Sequence, residues 1–88
     1  QVLDYSIVPQ ILDRWKRDSN EWYSTAELHQ KWKGIADNEE LPFPKSAKGL
    51  GMHLSNIRKA LHDVYGVNYR KYRRIWEYQF PAVGDKEE

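Results

Sequence analysis

The chain has 88 residues, with 14 Lys and Arg against 13 Asp and Glu, and a formal net charge of +1. This length supports one compact domain. Cysteine is absent, which excludes disulfides, cysteine-ligated zinc and thiol catalysis and is usual in an intracellular protein. We therefore expect a cytoplasmic location and a core built around large rings, since 14% of the residues are aromatic.

No apolar run approaches the ~20 residues that span a bilayer, and no leader pattern is visible at the N-terminus, so no membrane partner is expected. Met52 is the sole methionine, which predicts that the chain is a segment of a longer protein. We expect one domain over residues 1–83, followed by a polar, disordered tail over residues 84–88.

The charges are distributed unevenly. Residues 1–44 and 75–88 each carry a net charge of −3, whereas residues 45–74 carry a net charge of +7. A basic segment of this kind is typical of a nucleic-acid-binding surface, and the alternative is a solvated basic face without a ligand.

The first predicted helix begins near residues 6–9, because proline is tolerated in a first turn, and ends at Ser19-Asn20. Residues 21–23 are short and aromatic and predict a small strand. The apolar stripe of this helix is Val8, Ile11, Leu12 and Trp15.

Ser24 and Glu27 form a capping box, which predicts the start of a second helix. Gly34 predicts that this helix loosens or ends nearby. Residues 37–44 contain two prolines and three acids and are expected to form a loop in which Leu41 and Phe43 point inward. The apolar stripe of the helix is Leu28, Trp32 and Ile35.

A third helix is expected from its N-cap Ser46 to Gly66, with Leu50, Leu54, Ile57 and Leu61 as its apolar stripe. Gly49 and Gly51 disfavour its first turn by roughly 1 kcal/mol each relative to Ala, so another backbone is expected to approach closely there. The opposite face is polar or basic apart from one methionine and carries Lys45, Lys48, Met52, Ser55, Asn56 and Lys59.

After the third helix the pattern changes to period two. Residues 67–69 and 76–80 predict antiparallel strands, and Pro81 ends the second of them. Between them, Arg70-Lys71-Tyr72-Arg73-Arg74 predicts a hairpin tip whose four cations suit an anionic partner.

Three helices closed by a two-stranded hairpin form an α+β arrangement, and from about Ser6 to Phe80 the sequence resembles winged helix-turn-helix domains. Residues 45–51, the Leu54-Ile57-Leu61 stripe and residues 72–80 are similar to the C-terminal DNA-binding module of phage- and plasmid-type primase-helicases. The resemblance implies a third helix in the major groove and a wing on the flanking backbone or minor groove. The link over residues 37–44 is long for a tight helix-turn-helix.

The resemblance implies that the lysines contact phosphates or guanine and that Asn56 contacts adenine. Met52 is either a contact to a thymine methyl or a core side chain. Some wing cations have Glu77 as an alternative partner, in an exposed ion pair worth ~0–1 kcal/mol. The expected site residues are Lys45, Lys48, Gly49, Met52, Ser55, Asn56, Lys59, Arg70, Lys71, Arg73 and Arg74.

Tyr69 and Tyr72 either stack on unpaired bases or cover the core; we favour the second role for Tyr69 and leave Tyr72 open. His53 is either a DNA contact or a solvated surface residue, and the helix dipole explains His62. All four tryptophans are expected in the core: Trp15, Trp22, Trp32 and Trp76.

The histidines lack metal-ligand spacing, and no phosphate-binding loop or nucleophile motif is present, so we expect no metal, no cofactor and no enzyme activity within this segment. The sequence predicts a duplex-DNA-binding module of a larger replication or regulatory protein, with a recognition helix over about residues 46–65 and a basic wing over 70–74. The alternatives are a winged helix that binds a protein through its aromatic hairpin or residues 37–40, and single-stranded nucleic-acid binding through Tyr69 and Tyr72. Other domains of the parent protein are further possible partners.

Overall fold

Three helices precede an antiparallel hairpin in the computed structural model, which describes residue 3 and residues 6–16 and 21–81. A short strand before the second helix joins the hairpin, so the strand order is β1-β3-β2 with β3 central and both pairings antiparallel. This is a compact α+β domain of winged-helix-like arrangement. In chain order its elements are α1 (Val8–Arg14), β1 (Trp22–Ser24), α2 (Thr25–Glu39), α3 (Ala47–Tyr65), β2 (Asn68–Tyr72) and β3 (Ile75–Gln79).

Capping residues in the sequence predict the start of α2 and both ends of α3, and the structure confirms all three. The Glu27 N–H donates to Ser24 Oγ at 3.2 Å, and the Ser24 N–H donates to Glu27 Oε1 at 2.9 Å. At the start of α3, Ser46 Oγ accepts the Gly49 N–H at 3.1 Å. Gly66 ends α3 with φ at 72°, the left-handed conformation that glycine adopts readily.

The first helix ends earlier than predicted. α1 stops before Trp15, whose backbone is extended with φ −92° and ψ 110°, and the predicted end at residues 19–20 lies outside the described residues. The indole packs edge-on against Tyr23, Trp32 and Phe80, with ring centroids 5.4, 5.8 and 5.3 Å away. Edge-on ring contacts stabilise a small core, so tertiary packing overrides the continuation of the helix.

The second helix ends later than predicted. α2 continues past Gly34, which is exposed with open space around it, because Ala36 in the next turn is fully buried in the core. Glu40 caps the helix in the left-handed region with φ 56°. The expected loop over residues 37–44 is therefore wrong at its start, and the connection to α3 occupies residues 40–46.

The core lies between the three helices and the inner face of the sheet. Leu41 and Phe43 of the α2–α3 connection pack against it, as predicted. Two of the four tryptophans depart from expectation, because Trp22 and Trp76 are only half-buried. The buried hydrophobic residues are Leu3, Val8, Ile11, Leu12, Trp15, Leu28, Trp32, Ala36, Leu50, Leu54, Ile57, Leu61, Val67, Tyr78 and Phe80.

Residues 82–88, which include the tail predicted to be disordered, lie outside the described residues. Among the helices that the structure describes, none combines the length and the apolar character needed to cross a membrane.

Candidate nucleic-acid interface

An open groove of about 670 Å³ lies between α3, the start of α2 and the wing, the β2–β3 hairpin over residues 68–79. We call it the basic groove. Five of the site residues predicted from the sequence line this groove, and they come from the outer face of α3 and from the hairpin tip. They are Lys48, Met52, Ser55, Asn56 and Arg74.

The apolar stripe of α3 determines which side chains reach the basic groove. Its four members, Leu50, Leu54, Ile57 and Leu61, are at most 2% exposed. Because that stripe faces the core, the opposite side of the helix faces outward. Met52 is 64% exposed, so the interpretation of this residue as a core side chain is wrong.

Three predicted site residues of α3 and its cap lie outside the basic groove. Lys45 instead lines a smaller depression with Lys33 and Asp37. Gly49 serves the N-cap of α3 through its N–H. Lys59 is exposed on the same helix, with Nζ 4.0 Å from Asp63 Oδ2.

The far wall of the basic groove was not predicted. It includes the first two residues of α2, Thr25 and Ala26, and two wing residues, Ile75 and Trp76. The capping box predicts where α2 begins but carries no information on its neighbours in space. Ile75 is 52% exposed, which gives the groove an apolar element beside its cations.

Gly51 brings α3 against the start of α2. A Cβ at this position would lie 3.3 Å from Thr25 Cγ2, a tight contact. The close approach predicted here therefore exists, but its partner is a side-chain methyl rather than a backbone. At Gly49 a Cβ would meet the side chains of Pro44 and Ser46 at an ordinary 3.5 Å.

The predicted hairpin tip over residues 70–74 is too long, because residues 70–72 continue β2. Tyr72 pairs with Ile75, so the turn consists of Arg73 and Arg74 alone. Their φ angles are 52° and 68°. Positive φ at both central positions is the type I′ geometry, which favours Asn-Gly and costs other residues about 1 kcal/mol or more each. The turn thus places two cations at the tip at the expense of stability.

The other two wing cations have different surroundings. Arg70 Nε is 2.7 Å from Glu77 Oε1, and its guanidinium lies 4.1 Å from the Trp22 ring centroid. Arg70 is therefore the wing cation that takes Glu77 as its partner, the alternative considered from the sequence. Lys71 is exposed, with Nζ 5.9 Å from the Trp76 ring centroid.

Arg58 connects α3 to the wing. Its guanidinium lies 3.8 Å from the ring centroid of Trp76 and 5.7 Å from that of Tyr69. Burial raises the pKa of the Tyr78 hydroxyl, and Arg58 acts in the opposite direction. One cation of the basic segment is thus used to fix the wing beside α3.

The cations of the basic groove differ from those of the first two helices. In α1 and α2, Arg14 pairs with Glu39 at 3.0 Å and Lys33 pairs with Asp37 at 3.2 Å. Within the described residues, no carboxylate lies within salt-bridge distance of Lys48 or of the two tip arginines. Their charge remains available to an external anion.

All three histidines make contacts within the fold. His53 Nε2 is 2.7 Å from Ser6 Oγ, so this residue is neither a groove residue nor a freely solvated one. His29 donates to the Pro44 carbonyl at 2.9 Å and His62 donates to the Val67 carbonyl at 3.1 Å. His29 thus connects α2 to the segment before α3, and His62 connects the last turn of α3 to the residue that leads into β2.

In the part of the chain that the structure describes, no group of three or more His, Asp or Glu side chains is placed to hold a metal ion. Comparison of the chain with protein-family models, curated proteins and solved structures found no match. The function of the chain is therefore inferred from its own residues.

Proposed function

We propose that this chain is a winged helix-turn-helix module that binds duplex DNA in the basic groove. The observation that carries the proposal is the composition of this surface. Lys48 and Arg74 line it without a carboxylate partner among the described residues, next to the exposed side chains of Met52 and Asn56. A protein that binds a specific duplex needs cations that contact the phosphates and, beside them, side chains that contact the edges of the bases.

The dimensions of α3 suit this role. A helix of 19 residues is about 28 Å long, and the major groove of B-DNA, about 12 Å wide, admits one helix. Lys48 in the basic groove and Lys59 outside it on the same helix are about 16 Å apart along the axis, so the two lysines contact phosphates at separate points. Asn56 lies one turn after Met52 and presents its amide to adenine N6 and N7, while Met52 contacts a thymine methyl.

The wing supplies the second contact. Arg73 and Arg74 extend from its tip toward the phosphates or minor groove flanking the site. The first turn of α2 borders the same surface, and the helix dipole favours negative charge there. We also propose, from the resemblance described above, that the module belongs to a larger replication or regulatory protein such as a primase-helicase.

The decisive experiment is a fluorescence-anisotropy titration of a short labelled duplex with the chain and with the Lys48→Glu, Arg74→Glu double variant. We expect the variant to bind at least tenfold more weakly, because two cations of the basic groove become anions. The matched control is Lys31→Glu with Lys33→Glu, which changes the charge equally on α2 outside the groove and leaves the affinity within about twofold. Equal losses in both variants would contradict the site, since net charge alone would then explain binding.

A salt series tests the mechanism of the same contact. The logarithm of the affinity is expected to fall by about 0.9 per phosphate neutralised for each unit of log salt concentration. The double variant is expected to have a slope smaller by about two phosphates. A chain that binds no duplex even at low salt is not a DNA-binding module.

A protein partner is the second candidate function, and a different surface favours it. Val64 and Tyr65, at the C-terminal end of α3, are 51% and 36% exposed and present apolar area to solvent. Residues 37–40 are a weaker candidate for that partner, because Asp37 and Glu39 are paired within the fold. If Val64→Ser and Tyr65→Ser leave DNA affinity unchanged, these residues are free to serve such a partner.

A further inference from the structure

Tyr72 lies at the end of β2 and has surroundings unlike those of Tyr69, three residues earlier. Tyr69 is 37% exposed, and its ring centroid lies 6.2 Å from that of Trp76 and 6.1 Å from that of His62, at the junction of α3 and the wing. Tyr72 is 52% exposed. Successive side chains of a strand alternate between faces, so Tyr72 lies on the face of Arg70 rather than on that of Tyr69.

Two guanidinium groups lie near the Tyr72 ring. Arg73 lies 5.2 Å and Arg70 5.9 Å from its centroid. Arg70 is held by Glu77 and by its contact with the Trp22 ring. Arg73 has no carboxylate partner among the described residues and leaves its charge beside the ring. An exposed aromatic ring with a cation beside it suits a nucleobase, which stacks on the ring, and its phosphate, which the cation contacts.

A continuous duplex cannot occupy this platform, because its bases are stacked on one another and present no free ring face in the interior. An unpaired base next to a duplex has such a face. Tyr72 does not line the basic groove, but it is only two residues from Arg74, which does, so a strand that leaves a bound duplex on the wing side comes within reach of the ring.

We propose that the chain binds a duplex that continues into a single strand, and that Tyr72 stacks on an unpaired base of that strand. This inference rests on the proposed duplex binding in the basic groove and names the form of DNA that the site prefers.

Four probes test it by fluorescence anisotropy at one salt concentration: a blunt duplex, the same duplex with a single-stranded tail of about six nucleotides, the duplex with an abasic tail of equal length, and the single strand alone. We expect the tailed duplex to bind roughly tenfold more tightly than the blunt one. The abasic tail, which keeps the phosphates and lacks the bases, should give little of that gain. The single strand should bind more weakly than the tailed duplex.

Variants assign the preference to one ring. Tyr72→Ala is expected to remove the preference for the tail and to leave blunt-duplex affinity within about twofold, while Tyr72→Phe keeps the preference because the ring remains. Tyr65→Ala, at another exposed tyrosine, is the matched control and keeps it too. Circular dichroism checks that each variant is folded.

Each contrary result has a distinct meaning. Equal binding of blunt and tailed duplexes, a full gain from the abasic tail, or a tail preference that survives in Tyr72→Ala overturns the role of Tyr72 and leaves duplex binding intact. The absence of binding to both duplexes overturns the proposed function itself. Tighter binding of the single strand than of the tailed duplex overturns the junction and favours a single-strand binder.

Discussion

The core around Trp15 and the basic groove differ in what their residues contribute to folding. In the core, Trp32 and Phe80 are at most 1% exposed, and their ring centroids are 5.5 Å apart. In the groove, Met52 and Ile75 expose more than half of their surface. One region buries nearly all its apolar area, and the other leaves it in contact with solvent.

The backbone and the charges differ in the same way. The cations Arg14 and Lys33 pair with acids within the fold, whereas Lys48 has no such partner among the described residues. The wing tip places Arg73 and Arg74 in a conformation that favours glycine. Among the described residues, two of the three non-glycine residues with positive φ thus lie at the wing tip, and backbone strain of this kind is often found at functional sites.

The largest expected effect follows from removing a ring of the core. Trp32→Ala should reduce the free energy of unfolding by about 3–5 kcal/mol, which is a large part of the stability of a small domain. Met52→Ala in the groove should change it by less than about 0.5 kcal/mol. Urea denaturation followed by tryptophan fluorescence measures both.

A milder variant keeps this comparison measurable if Trp32→Ala does not fold. Trp32→Phe retains a ring and removes an indole N–H that has no hydrogen-bond partner among the described residues. It should therefore cost less than the alanine variant. A loss at Met52 as large as that at Trp32 would contradict the contrast between the two regions.

The wing turn offers a variant in which stability and binding change in opposite directions. Arg73→Asn with Arg74→Gly introduces the type I′ preference and should raise the free energy of unfolding by about 1–2 kcal/mol. The same change removes two cations, so duplex affinity should fall and the salt dependence should weaken by about two phosphates. Chemical denaturation and a salt series measure the two quantities on one protein. A variant that is destabilised would indicate that the arginines stabilise the turn.

Local signals made much of the fold predictable. Ser24 with Glu27, and Ser46 with Gly49, satisfy helix ends within three residues, so their partners can be identified in the sequence. The period-two pattern of residues 76–80 likewise predicts the central strand of the sheet.

Features that depend on packing between distant residues could not be predicted in this way. Trp15 ends α1 because of rings that are far away in the sequence, and Ala36 extends α2 because of the core it enters. The groove wall at Thr25 depends on the packing of α2 against α3. The outer face of α3 was predictable from its stripe, while the selection of groove residues among its cations required the structure.

Gly34 provides a smaller test of the same contrast. It lies within α2, and a methyl group added there would meet open space, so Gly34→Ala should raise the free energy of unfolding by about 0.5–1 kcal/mol. Gly51→Ala in the wall of the basic groove is the matched control, since its methyl would meet Thr25 at 3.3 Å and lose part of the gain. Thermal denaturation compares the two. Equal gains at both positions would show that the contact at Gly51 imposes no constraint.

The smallest expected effect concerns pH and the contact between Ser6 and His53. Burial lowers the pKa of His53 from its ordinary 6.5, so between the folded and unfolded values the unfolded chain binds more protons. The contribution of His53 to the free energy of unfolding is therefore complete above about pH 6.5. It is lost as the pH falls through the lowered pKa of His53 in the folded state. His53→Gln keeps a polar group near Ser6 and does not titrate, so between about pH 7.5 and 5.5 its stability should decline less than that of the parent chain. His29 and His62 are present in both proteins and cancel from the comparison. Identical slopes in urea denaturation would exclude His53 as a source of the pH dependence.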